Sequence, residues 1–544
     1  MVKKDKTTDF AKAQQKYPHL KRFVDKTTKE LGKPAWHAEL PKDADEADKI
    51  NLIYPVGDPI FIHIKKTPDD TKTYYNVVEP AFTEEEQKIY DEVIDKLVDL
   101  AYKEPVPDDI TKTTPILKKL LREATTIGVQ AGGTIQKLIN PKVQLSQKQF
   151  EKIEYFLLRN RVGYGKLEPL FYDPHLEDIH CTGVGRVTTI HKVFDMVYTN
   201  IIFDDDYSVD KYIEDVTERV ERPASDANAV VDAIMPDGSR SNFIYGKDIS
   251  LEGSSFTVRK FAEEPISITQ IIKWKTMDVT LAAYLWLALE HGMNIFVCGE
   301  TASGKTTTLN AISAFIKPDD KVYTVENTPE VTMPHPVWQH LVTRESGKDS
   351  DVTYLDLLVA ALRSRPDYII VGEIRAEEGN IAFQAMQTGH PVMSTFHAGN
   401  VTTMIQRITG EPINVPITFV DNLNICLIQQ AVYRGTKFVR RVLSLTELER
   451  YFAPDDKIIT REVFTWNSTA DQHVFRGMFN SYILEQKIAK TLGYTDPKRI
   501  YNEMDLRAKI LKRMIEEDIL DYFEVWEVLK KFHAGGVKAL PFKL

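Results

Sequence analysis

Cysteine is scarce in this chain. There are three in 544 residues, Cys181, Cys298 and Cys426, and no two form a C-x-x-C pair. A zinc ribbon or a disulfide framework is therefore not indicated. Long apolar runs are lacking too. The longest, Leu281 to Leu289, is about half of the ~20 residues a membrane-spanning helix needs. The N-terminus, MVKKDKTTDFAKAQQKYPHL, carries positive charge without an apolar core, so no signal peptide is expected and the chain reads as soluble and cytosolic. An excess of positive charge is also missing: 69 basic and 79 acidic residues leave a net charge of −10. Nucleic acid is not the expected partner of such a chain, because phosphates call for Lys and Arg in excess.

What is present is an ordinary globular composition, 43% hydrophobic and 27% charged, long enough at roughly 150 residues per domain for about three or four structural units. Residues 1–110 are rich in Lys and Asp, with short strand-like runs at Asn51–Tyr54 and Ile60–Ile64. They show no repeat and no chemistry, and read as a variable adaptor region or a partly mobile face. Residues 111–262 read as a smaller α+β domain. Ile116, Leu117, Leu120 and Leu121 share one helix face, as do Phe150, Ile153, Phe156 and Leu157. The stretch VGYGKLEPLFYDPHLEDIHC reads as turns joining short strands. Strands are expected at Val187–Ile190, Val193–Val197, Ala229–Ile234 and Ser254–Val258, and a helix at Val209–Val220. Residues 263–278 read as a hinge linker. Over 279–480, alternating strands and helices to about residue 445 predict an α/β core with a mainly parallel sheet. Residues 481–544 read as a helical tail.

Four segments carry chemistry. Gly299-Glu-Thr-Ala-Ser-Gly304-Lys305-Thr306 matches G-x-x-x-x-G-K-[ST] in full, between an apolar strand (Asn294–Cys298) and a helix (Thr307–Phe315). Glycines let such a loop wrap so that its N–H groups face phosphate oxygens, and the helix N-terminus adds partial positive charge. The segment assigns Gly299, Thr301, Ala302, Ser303, Gly304, Lys305, Thr306 and Thr307 to nucleotide binding. Lys305 would bridge the outer phosphates of ATP, and the Thr306 hydroxyl would ligate Mg²⁺. Second, the apolar strand Tyr368–Val371 is followed by Gly372 and then Glu373. A carboxylate at the C-terminal edge of a parallel sheet faces the ligand crevice, where Glu373 would polarise the attacking water or hold Mg²⁺ through water. In the usual pattern an aspartate stands where this chain has Gly372. Third, the strand Val322–Val325 leads to Glu326, Asn327 and Glu330. Fourth, His390 and His397 flank a short strand. Their spacing does not suit a metal site.

Taken together, these segments resemble the secretion-superfamily ATPases of type II secretion and type IV pili, and most of all their archaeal branch, which includes the archaellum motor ATPase. The resemblance covers about residues 110–450. It implies a RecA-like P-loop core preceded by a small PAS-like α+β domain, and a homo-hexamer at the inner face of the cell membrane. The hexamer would act through a polytopic membrane platform protein and the accessory proteins of an archaellum or pilus. By resemblance, GETASGKTTTLNA is the P-loop, VENTPE the Asp box with Glu326 and Glu330 positioning metal or water, and RPDYIIVGEIR the atypical Walker B with Glu373 as catalytic carboxylate. TGHPVMSTFHAGN resembles the His box, which makes His390 and His397 γ-phosphate sensors or subunit couplers. Arg240 and Arg259 match arginines that reach a nucleotide, in some cases across a subunit boundary, and Arg222 is a weaker candidate of that kind. No tetracysteine module is present, which favours the archaeal branch, and no LSGGQ-like segment suggests a transporter ATPase. The alternative is a conjugation-type ATPase or nucleic-acid translocase on the same core. A non-enzymatic nucleotide-binding regulator fits less well, given Glu373 beside an intact P-loop.

Overall fold

The computed structural model describes residues 9–41, 44–45, 49–102, 104, 110–128, 142–261, 265–344, 351–434 and 437–544. The chain divides into two compact units, Met1–Ala262 and Glu263–Leu544.

The first unit is organised on a ten-stranded sheet. From one edge its strands are Ala35–Trp36, Ile50–Gly57, Ile60–Lys66, Thr73–Val78, Asp195–Phe203, Gly185–His191, Leu176–Cys181, Ser255–Arg259, Arg240–Ile244 and Val230–Ile234. Alternation along Val230–Ile234 and Ser255–Arg259 buries one face and leaves the other open. The helix Asp206–Arg219, capped by Asp205, buries Val209, Ile213 and Val216 in the core that the sheet builds. On Ile50–Lys66 both faces are covered: Ile62 and Ile64 enter that core, while Ile53 and Phe61 pack with Leu20 and Val24 of the helix Pro18–Leu31.

Residue 110 is therefore not a domain boundary, contrary to expectation. Strand Thr73–Val78 pairs in parallel with Asp195–Phe203, registering Thr73 with Val197 and Tyr75 with Thr199. Asn200 extends the ladder with its side chain, accepting from the Val77 amide (2.9 Å) and donating to the Val77 carbonyl (3.0 Å). The hydroxyls of Tyr54 and Tyr75 both donate to the fully buried Asp173, at 2.7 and 2.8 Å. Two local expectations also change. The stretch read as turns and short strands contains the helix Glu168–Tyr172, with a proline in its first turn where no N–H is needed. The strand expected at Val193 starts only at Asp195, which takes φ = +54° to close the hairpin.

The second unit carries a nine-stranded sheet in the order Trp338–Val342, Val322–Glu326, Tyr368–Ile374, Val392–Phe396, Ile295–Gly299, Ile425–Arg434, Lys437–Phe452, Lys457–Asn467, Gln472–Phe475. The strands from Trp338–Val342 through Ile425–Arg434 are all parallel. This is the mainly parallel, RecA-like α/β core that the sequence predicts, its central strands buried on both faces. The alternation expected to continue to residue 445 instead gives way at residue 437 to an antiparallel meander.

Helix Val279–Glu290 is buried all round from Leu281 to Leu289, which explains its apolar run. No helix among the described residues is long and apolar enough to cross a membrane. Its core also contains Ile510, Leu511 and Met514 of the helix Ile500–Glu516, so residue 480 does not separate a tail from this unit. The expected hinge begins on residues 263–264, which lie outside the described residues. Its later part holds the helix Ile268–Lys273, whose Ile268 and Ile271 are buried in the same core, so those residues belong to the unit and not to a free connector.

Candidate active site

The P-loop leaves the C-terminal end of the buried strand Ile295–Gly299 and turns into the helix Lys305–Ser313. Gly299 has no room for a side chain: a Cβ there would lie 2.3 Å from the Gln429 carbonyl oxygen. Ala302 and Gly304 take φ = +61° and +87°, which wraps the loop. Gln429 of the neighbouring strand straps it from beneath. Its Nε2 donates to the Ser303 carbonyl and its Oε1 accepts from the Thr308 hydroxyl, each at 2.7 Å. Arg440 holds the outer side, Nε donating to the Ala302 carbonyl at 3.1 Å. Lys305 Nζ donates to the carbonyls of Gly299 (3.0 Å) and Glu300 (2.9 Å). Partial burial lowers the Lys305 pKa, and Glu373 is the foremost of the charges that oppose this, Glu330 a lesser one. Thr306 and Thr307 are half-exposed in the first helical turn.

The acidic strand, Tyr368–Ile374, lies beyond one intervening strand, Val392–Phe396. Thr395 registers with Val297 on one side and Glu373 on the other, so the backbones of Val297 and Glu373 stand about 10 Å apart at the same edge. The register with Val392–Phe396 skips Gly372. Such a bulge re-aims the following side chain, and the acid here stands one place after the usual position. Glu373 Oε2 accepts from Arg375 Nε at 2.9 Å and from its Nη2.

Gly372 also makes room for Glu326, whose Cγ would lie 3.1 Å from a Cβ at residue 372. Glu326 is 2% exposed. Its Oε1 accepts from the amides of Glu330 and Val331, and its Oε2 meets His340 Nε2, all at 2.9 Å. In this structure Glu326 is held by protein partners, Oε1 closing the 326–331 turn and Oε2 facing His340 on the neighbouring strand, and that turn carries Glu330 into the field of Lys305. Asn327 accepts from the Thr343 hydroxyl at 3.0 Å.

The two histidines separate. His397 follows the strand Val392–Phe396 on the P-loop side, its Nε2 3.2 Å from Thr301 Oγ1, and lines a shallow depression with Glu300, Thr301, Gly399, Thr403 and Arg407. His390 precedes that strand and bonds Thr388 Oγ1 at 3.1 Å. Five residues of strand span about 17 Å, so His390 lies at the opposite sheet edge and is not a γ-phosphate sensor for this loop. Arg240 and Arg259 belong to the first unit, on its open sheet face; Arg222 Nη1 there donates to the Asp232 carbonyl at 3.1 Å.

Gln429, Arg440, Arg375 and His340 are the residues that sequence reasoning missed. Only Gln429 leaves a trace, as the start of a Gln-Gln pair interrupting the apolar run from Ile425. Among the described residues no cluster of three or more His, Cys, Asp or Glu could hold a metal on its own. The donors that fit Mg²⁺ are Thr306 and, through water, Glu373, since Mg²⁺ takes few protein ligands when phosphates supply the rest.

The family described as Type II/IV secretion system protein matches residues 169–444. The uncharacterized protein MJ0900 of Methanocaldococcus jannaschii is 49% identical over 544 residues, covering 98% of each chain. The conjugal transfer protein TrbB of Rhizobium radiobacter is 31% identical over 201 residues, 36% of this chain and 61% of that one. The crystal structure of the pilus retraction motor PilT with bound ADP covers 68% of this chain and 94% of its own, at 18% identity and a TM-score of 0.39. With a complete phosphate-cradling loop, and an acidic strand set one strand away from it, the chain belongs to the type II/IV secretion system protein family.

Proposed function

We propose that this chain is a Mg²⁺-dependent ATPase that works as a homo-hexamer at the inner face of the cell membrane. It would drive assembly of an archaellum- or type IV pilus-like filament through a polytopic platform protein. The observation that carries the enzymatic part is the placement of Lys305 and Glu373 at one sheet edge across a single intervening strand. Lys305 would exchange the Gly299 and Glu300 carbonyls for the outer phosphates. Glu373 would leave Arg375 and orient the attacking water. Bound Mg²⁺ would neutralise charge developing on the phosphates. Backbone N–H groups of the wrapped loop and the first turn of the helix Lys305–Ser313 would add donors toward the phosphates.

Turnover of ATP by the purified chain, with and without vesicles carrying the platform protein, tests the reading. Lys305→Ala is expected to abolish turnover and weaken ATP binding, whereas Glu373→Gln binds ATP and turns it over slowly. Wild-type turnover in Glu373→Gln would remove that carboxylate from the mechanism. A conjugation-type role is the second reading, favoured by the similarity to TrbB. Stimulation by DNA at fixed salt, with none by the platform protein, would select it.

A further inference from the structure

The hairpin of strands Ile425–Arg434 and Lys437–Phe452 presents two exposed rings, Tyr433 (75% exposed) and Phe438 (45%). They are register partners, with centroids 5.2 Å apart. The same register pairs Gln429 with Val442 and Ala431 with Arg440. Side chains alternate along a strand, so Gln429, Tyr433, Phe438 and Arg440 share one face of the hairpin. That face is the one that grips the P-loop, through Gln429 to Ser303 and Thr308 and through Arg440 to the Ala302 carbonyl. The Arg440 guanidinium lies 5.6 Å from the Phe438 centroid.

Resting on the ATPase reading above, we propose that Tyr433, Phe438 and Arg440 form the nucleobase side of the nucleotide site. Phe438 stands two residues beyond Arg440, about 7 Å along the strand, roughly the reach of a sugar from the loop that holds the phosphates. Exposed aromatic faces take a base by stacking, which is tolerant of base identity, and an adjacent arginine adds a cation over the π-system. The platform therefore selects for an aromatic base as a class and discriminates weakly between adenine and guanine.

The test compares ADP with inorganic pyrophosphate, which fills the phosphate cradle but has no base, by calorimetry on the full chain. In a Tyr433→Ala/Phe438→Ala variant ADP affinity is expected to fall about tenfold or more, in line with the loss of base stacking, while pyrophosphate affinity stays unchanged. A Tyr433→Leu/Phe438→Leu variant, which keeps bulk without a π-face, serves if the alanine pair does not fold, and is expected to behave alike. Phe438→Trp should report ADP by a change in fluorescence and stay silent to pyrophosphate. Unchanged ADP affinity, with or without loss of self-association, overturns the proposal, and so does a parallel fall for both ligands. If the wild-type chain binds neither ligand, the nucleotide reading itself fails as well.

Discussion

Arg240 and Arg259 are direct register partners on adjacent antiparallel strands, both on the open face of the first unit's sheet. Like charges set opposite each other weaken a sheet, so the pair costs stability that some gain must offset. On the ATPase reading proposed above, an anionic ligand would supply it. Replacing Arg240 with Ala is expected to leave stability equal or slightly higher, by a few tenths of a kcal/mol, while ATP turnover falls. Mixing this variant with Lys305→Ala subunits should restore part of the turnover if the arginine serves a neighbouring subunit's nucleotide. Intact assemblies with no recovery at any mixing ratio would exclude that arrangement.

Gly372 permits the close approach of Glu326 and forms the bulge that aims Glu373. Gly372→Ala puts a methyl 3.1 Å from Glu326 Cγ. The expected result is a kcat about ten- to a hundredfold lower, as for a small misplacement of a catalytic group, with ADP affinity close to normal. Steady-state kinetics and calorimetry separate the two. A normal kcat would mean that the bulge does not set the position of Glu373.

Gln429 is 1% exposed and satisfies two buried groups of the P-loop. Gln429→Leu keeps the volume and leaves the Thr308 hydroxyl and the Ser303 carbonyl without partners. Each orphaned group costs about 1–3 kcal/mol. Thermal denaturation should show a lower Tm that added ADP only partly restores, because the loop that binds it is loosened.

Burial holds the pKa values of His19, His63 and His191 down to about 4 in the first unit. In the unfolded chain they titrate near 6.5. Between those values the unfolded chain carries more protons, so the stability these neutral rings contribute is complete above about pH 6.5 and is lost as pH falls toward 4. Urea denaturation should give lower midpoints at pH 5 than at pH 7, and His63→Gln should reduce the slope by about one proton's worth, ~1.4 kcal/mol per pH unit. Identical midpoints at the two pH values would show that these rings accept protons without unfolding.

The P-loop was legible in the sequence because its requirements are local: two glycines, a lysine and a hydroxyl at fixed spacing between a strand and a helix. Glu373 was legible for the same reason, as an acid at a strand's end. The supports were not, because a cross-strand partner is set by register between segments far apart in the chain. Gln429 meets Ser303 only once two strands pair. The separation of His390 from His397 was legible in their placement at the two ends of one short strand, although the resemblance groups both in a single box. The role of residues before 110 was missed because their short apolar runs carry no sign of which sheet they will join.

The parallel seam between Thr73–Val78 and Asp195–Phe203 has a practical consequence. A chain shortened to the segment that matches the family would leave the backbone of Asp195–Phe203 unsatisfied along one side, an open template for another copy to add to. The early strands act as a seal. A trimmed version should keep the chain from Asp9 onward, so that the helix Pro18–Leu31 still covers Ile53 and Phe61, and should not begin near residue 110.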